Sequence, residues 1–372
     1  MQLYAFDKDL NPLGPIENVT GLSWEEKFTD AGTFELWCSL NEENAAILQE
    51  DNIVWPGGET AGIVEYFLKE KSAEGILSFH VKGRLTVAYL DYRSVYPRLI
   101  VTDAPSGIIV SLVDTNLVSP EDPDRTIPGM EIDPNQEIYG SQLSYQRLGS
   151  TVLLEASTLA ESHGLGFSMK FLPDLRKHRF CVIKRTDRSV NQAQVHPVVF
   201  ESDLNDIISA SYSENKSEFK NCAYVAGEGE GSDRVIIQTD LNTTPATGVG
   251  RRELFVDARD LQSESEDGSV MTQAEYLSAL NLRGVQNFED YKLVKEFSAT
   301  MKTFGESALE FGKDYFLGDI VTIYDRDLHV SVDAQISAVR DSYGESGVVS
   351  RTITFGFGQP TLVTKLKRRT MH

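Results

Sequence analysis

The stretch ILSFHVKG, Ile76 to Gly83, constrains the fold of this chain most tightly. Leu77, Phe79 and Val81 alternate with Ser78, His80 and Lys82. Strict alternation puts every second side chain on one side of a pleated strand, so this segment is a strand with one face buried and the other wet. The rest of the first hundred or so residues reads in the same way. MQLYAFD gives an alternating start and NPLG (Asn11 to Gly14) a turn. GLSWEEKFTDAGTFELWCSL then supplies two strand-like arms joined at Asp30-Ala31-Gly32, which predicts a hairpin. One helix interrupts the series, in NEENAAILQE. There Asn41 can cap the free backbone N–H groups, Glu42 and Glu43 suit the positive end of the dipole, and Ile47 and Leu48 supply the apolar contact. Strands resume at AGIVEYFL.

From about residue 99 to 198 the period changes. In DAPSGIIVSLVDTNLV, Pro105 suits a first helical turn, and Ile108, Ile109, Leu112 and Val113 form one stripe at helical spacing. SPEDPDRTIPGMEIDPNQ is rich in Pro and Asp and predicts a loop without regular structure. STVLLEASTLAESHG predicts a second helix that buries Val152, Leu153, Ala156, Leu159 and Ala160 and ends at Gly164. GLGFSMKFLPDLRKHRFCVIKRTDRS returns to strands. Beyond about residue 199 the chain is again β-rich, with one helix. Thr272 and Glu275 have capping-box spacing, so that helix begins at Gln273 and carries Tyr276, Leu277 and Leu280 inward. DIVTIYD, VDAQISAVRDSY and VVSRTITFGFG are strand runs. The last two flank the GESG turn (Gly344 to Gly347), and Val349, Ile353, Phe355 and Phe357 share a face. The order is β, then α+β, then β, with expected units at 1–98, 99–198 and 199–372.

Length and composition narrow the function classes. A chain of 372 residues with 41% hydrophobic and 24% charged residues is expected to fold into two or three units. No apolar run approaches the ~20 residues of a membrane helix. The N-terminus lacks the pattern of a secretory signal, which implies synthesis in a cytoplasm. Cys38, Cys181 and Cys222 are isolated and read as buried free thiols, and the six histidines form no ligand pair, so neither metal nor cofactor is expected. The net charge of −21, from 56 acidic and 35 basic residues, repels nucleic acid at long range.

Two motifs invite chemistry. VAGEGEGSDR, Val225 to Arg234, resembles a phosphate loop, but the sixth position of G-x-G-x-x-G holds Ser232, and Glu228 and Glu230 would face the phosphates. RVIIQTD follows as a strand, so an acidic turn between two strands is expected. Glu25 with Glu26, or Asp257 with Asp260, could form the carboxylate pair of a glycosidase. Neighbours on a strand point to opposite faces, which argues against the first pair. The chain also contains no G-x-S-x-G.

The opening MQLYAFDKDLNPLGPIENVTGLSWEEKFTDAGTFELWCSL, RTDRS, VAGEGEGSDRVIIQTD followed by RRELFVDARDL, and FLGDIVTIYDRDLHVSVDAQISAVRDSYG resemble, in this order, the siphovirus tail-hub or baseplate-hub family of phages and prophages, the Tal-type proteins. The resemblance covers nearly the whole chain. It implies an α+β, mainly β fold, with two tube-forming antiparallel β-barrel-like domains and an inserted α+β domain. It also implies a homotrimeric ring in the virion tail tip that continues the tail tube, contacts the distal tail protein and tape-measure protein, and carries a fibre, spike or lysin. DNA would pass through the lumen without specific binding, and no catalytic residue is implied. Glu228, Glu230 and Asp233 are candidate lumen or loop acids. The basic tail bearing Lys365, Lys367, Arg368 and Arg369 is a candidate docking peptide. The alternatives are a tail-associated hydrolase of peptidoglycan or glycan, or a glycan-binding module using aromatics such as Tyr139 and Tyr145.

Overall fold

A computed structural model describes residues 2–201, 207–264, 270–301, 309–344 and 347–356. Phe357 and the basic tail with Lys365, Lys367, Arg368 and Arg369 lie outside the described residues. The first β-rich part comprises β1 (Leu3–Phe6), β2 (Pro12–Ile16), β3 (Val19–Lys27), β4 (Thr33–Ser39), β5 (Ile53–Trp55), β6 (Gly62–Lys71) and β7 (Leu77–Leu85). Helix α1 (Glu42–Ile47) lies between β4 and β5, and the Asn41 side chain accepts from Asn44 N as its cap. The alternation read in ILSFHVKG holds from Ser78 onward, with Phe79 and Val81 buried and Ser78, His80 and Lys82 not, but Leu77, expected on the buried face, is exposed at the start of the strand.

The middle part holds β8 (Leu99–Asp103), α2 (Pro105–Val113), β9 (Met130–Ile132), β10 (Leu143–Arg147), α3 (Val152–His163), β11 (Leu165–Leu172) and β12 (Lys177–Lys184). Both predicted helices form as expected. Pro105 opens α2, and Gly164 ends α3 at φ +64°, a left-handed conformation that glycine adopts without strain. The Pro- and Asp-rich stretch is more ordered than its composition suggests. Within it β9 pairs in parallel with β12 through Met130↔His178, adding a strand the breakers concealed.

The last part holds β13 (Val199–Glu201), β14 (Ile207–Asn215), β15 (Cys222–Ala226), β16 (Ile236–Asp240), β17 (Glu253–Asp257), α4 (Gln273–Phe288), β18 (Val294–Met301), β19 (Ile320–Asp325), β20 (Val330–Gly344) and β21 (Gly347–Gly356). Helix α4 begins at Gln273. The Glu275 carboxylate accepts from Thr272 N at 2.8 Å, and Glu275 N donates to Thr272 Oγ1 at 3.3 Å, closing the capping box. Tyr276 and Leu280 pack beneath it with Ala223, Val225 and Val256 of the small sheet β16-β15-β17.

Thirteen strands from both ends of the sequence join in one sheet, whose main path is β14-β18-β21-β20-β3-β4-β7-β6-β5-β1-β2. The protein is α+β and mainly β, as expected. The barrel-like closure is not seen: the pairings run as an open path among the described residues.

Within this path one pattern occurs twice. Strands β3, β4, β6 and β7 pair in the order β3-β4-β7-β6, and β14, β18, β20 and β21 in the order β14-β18-β21-β20. The irregularities coincide as well. The first strand of each set shifts register at its second residue, between Val19 and Gly21 and between Ile207 and Ser209. The third strand of each set pairs outward with a short neighbour (β5 or β19), then bulges, at Glu65 or Ser337. Corresponding positions bury corresponding side chains: Phe34 and Phe297, Leu36 and Ala299, Val81 and Ile353, Val64 and Ile336. Two separate cores therefore underlie one continuous eight-strand run.

Candidate functional site: the open face of the sheet and its two edges

The two halves meet where β20 pairs antiparallel with β3, from Ala338↔Lys27 through Arg340↔Glu25 to Gly344↔Gly21. The hydrogen-bond ladder is continued on the buried side by Tyr343, which packs against the first core, and by Asp341, which takes a two-point ion pair from Arg351 at 2.6 and 2.7 Å. Trp24 Nε1 donates to Thr60 Oγ1 at 3.1 Å, and that hydroxyl donates to Glu26 at 2.8 Å. On the other side Arg340 donates to Glu25 at 2.7 Å. Glu25 and Glu26 thus point to opposite faces, as strand geometry requires, and do not form a catalytic pair.

The face that carries Glu25 is the open one. In the first half its charges are matched. Glu25 lies 3.9 Å from Lys27 as well as beside Arg340, Glu35 lies 3.2 Å from Lys82 and 3.1 Å from His80, and Glu65 lies 2.7 Å from Arg84. Partial burial opposes the charge on Glu35, but Lys82 and His80 outweigh it and leave its carboxyl below the ordinary value. Trp37 stacks on His80 with ring centroids 4.7 Å apart and remains 39% exposed. In the second half hydroxyls line much of the same face, with Glu296 in register opposite Ser213. Register places Ser209 beside Thr300, Ser211 beside Ser298, Ser298 beside Thr354, and Thr352 beside Arg340. Paired charges and neutral hydroxyls leave a polyanion few free cations to hold, the opposite of a nucleic-acid binding surface.

The eight-strand run ends in two unpaired edges. Val54 and Ile53 cover only the start of β6, and its remainder from Tyr66 to Lys71 pairs with β7 alone among the described residues. At the other end β14 pairs with β18 alone among the described residues.

The acidic turn lies elsewhere. VAGEGEGSDR connects β15 to β16, antiparallel neighbours of the small sheet, as expected. Gly229 takes φ +97°, and a side chain there would meet Asp233 O at 2.6 Å, so the glycine is required by the turn. Arg234 is tied to the loop's own flank, donating to Gly227 O at 3.0 Å, Ala226 O at 2.8 Å and Asp257 at 2.5 Å. Glu228 is held in place, since its N–H donates to Tyr276 Oη and its carboxylate accepts from Ser263 N. Glu230 and Asp233 are exposed on the same loop. These acids belong to a different sheet from the open face. The other proposed carboxylate pair is divided between partners. Arg259 and Arg234 hold the Asp257 carboxyl down at about 2, and Asp260 takes Arg283 at 3.1 Å.

Tyr145 is not free to stack on a sugar. It is 3% exposed, and its hydroxyl donates to Glu155 at 2.6 Å, where Arg147 also donates at 2.7 Å. Tyr139 is half-buried and bonds Glu137. All three cysteines are buried, and no group of three or more metal-ligating side chains occurs among the described residues. Among the described residues no helix is long and apolar enough to cross a membrane.

Sequence reasoning found the alternation of individual strands but not the open face. The face exists only because β20, more than 300 positions away in the chain, lies beside β3.

The arrangement has counterparts among solved structures. The chain is similar to the tail protein from Neisseria meningitidis MC58, at 11% identity over 96% of both chains with a TM-score of 0.56. It is also similar to prophage tail protein gp18 from Listeria monocytogenes EGD-e, at 13% identity over 100% of this chain and 99% of that one, TM-score 0.54. The 43 kDa tail protein of prophage MuSo2 from Shewanella oneidensis matches at 12% identity over 95% and 97%, TM-score 0.56. At such identities the likeness is one of fold. No curated protein matches the chain. The family model described as Siphovirus ReqiPepy6 Gp37-like protein matches residues 2–357, and the chain belongs to that siphovirus Gp37-like family.

Proposed function

We propose that this chain is a structural hub subunit of a phage tail tip. Three copies form a ring that continues the tail tube, with the open face of the eight-strand run turned to the bore. The observation that carries this reading is the twofold repetition of one four-strand pattern in a continuous sheet. Each subunit then supplies two similar wall segments, and three subunits supply six. The two cores play the part of the two tube-forming domains, and the middle α+β part that of a decoration on the outside. Matched charges on Glu25, Glu35 and Glu65, with hydroxyls beyond them, suit a wall past which DNA slides. In this reading the surplus negative charge is carried largely off that face, on elements such as the β15–β16 loop.

The family membership and the similarity to three tail proteins support placement in a virion tail. The ring would seat on the distal tail protein and bear a fibre, spike or lysin, so any cell-wall chemistry belongs to that partner and needs no cofactor here. A gold-labelled antibody against this chain is expected to decorate the tail tip of intact particles. Label on the capsid or spread along the tail overturns the reading.

A further inference from the structure

We infer that the free edge of β6, Tyr66 to Lys71, pairs antiparallel with β14 of a second copy of this chain, in the register that β20 and β3 already show within one chain. The inference deepens the ring reading above and rests on it.

The argument is one of equivalence. In the seam, the third strand of the second set (β20) pairs with the first strand of the first set (β3). Among the described residues the unpaired edges are the two that remain, the third strand of the first set (β6) and the first strand of the second (β14). One copy therefore presents the two complementary halves of a contact it has already made once internally. A head-to-tail contact between different patches propagates to the next copy, and closes into a ring when the rotation allows.

The bulges fix the register. Glu65 corresponds to Ser337 and Tyr66 to Ala338, and Gly21 corresponds to Ser209. Transferring Ala338↔Lys27, Arg340↔Glu25 and Ser342↔Ser23 puts Tyr66 opposite Asn215, Leu68 opposite Ser213 and Glu70 opposite Ser211. Chemistry agrees with this placement. On the other face Lys69, whose ammonium lies 4.9 Å from the Phe67 ring centroid, comes opposite Tyr212 and diagonal to Glu214. A lysine that would otherwise blunt an edge strand is given an anion. Tyr66 is 48% and Leu68 37% exposed in the isolated chain, and such pairing sets Asn215 and Ser213 directly alongside them on the open face.

The experiment uses the full chain with Leu68→Cys and Ser213→Cys, oxidised and run without reductant. Directly opposed residues stand about 5 Å apart between Cβ atoms, within disulfide reach. The control, Leu68→Cys with Ser209→Cys, offsets the pair by four residues, about 13 Å. The expected result is conversion of most of the first variant to covalent multimers, with the control at least tenfold less. Glu70→Cys with Ser211→Cys, a second in-register pair, is expected to cross-link as well. The native cysteines are buried and do not compete. A mass above one chain before oxidation, with no in-register preference in either pair, overturns this inference and leaves the ring standing. A single-chain mass overturns the ring and the inference with it.

Discussion

At the scale of single residues, His178 is a titratable group carried into the apolar interior. It is fully buried among Tyr89 and Phe171, at ring-centroid distances of 5.5 and 5.1 Å, and neither ring nitrogen has a hydrogen-bond partner among the described residues. Burial pushes the imidazole from 6.5 down to about 4. The unfolded chain binds this proton through the window between those values and the folded chain does not, so stability is complete above about pH 6.5 and falls as pH drops toward 4. The loss from this group is on the order of 3 kcal/mol. Denaturant titrations of the wild type and His178→Phe should diverge in that direction, with the variant showing the flatter pH profile. Equal slopes would mean that the imidazole is not neutral in the fold.

At the scale of elements, the seam between β20 and β3 is what makes two sheets into one. Its surface pair, Arg340 and Glu25, is half-exposed on the arginine side, so a coupling of about 0.5–1 kcal/mol is expected from a double-alanine cycle. That coupling should shrink in high salt, because solvent reaches the pair. Much of this level was legible from sequence. The cap at Asn41, the capping box at Thr272 and Glu275, Pro105 at a helix start and Gly164 at a helix end are all local signals, and each formed as read. The strand β9 was hidden because three residues among prolines and aspartates give no period, and only β12 beside it makes Met130–Ile132 a strand. The seam was illegible for a related reason. Glu25 and Arg340 carry no mark of each other in the sequence, and the turn acids Glu228, Glu230 and Asp233 drew attention by their glycines although they sit on another sheet.

At the scale of the molecule, one four-strand pattern occurs twice in one run, and among the described residues the two ends of that run are the strands equivalent to those of the internal seam. In the proposed ring these two ends meet between neighbouring copies, and the open face becomes the inside. In the proposed ring the matched charges on that face and the net charge of −21 would have separate work, the first leaving DNA little to bind and the second keeping copies of the ring apart. The most direct test is the mass of the purified chain in solution by light scattering across a wide concentration range. The account predicts a species of three chain masses that persists on dilution. A single-chain mass at every concentration would contradict it.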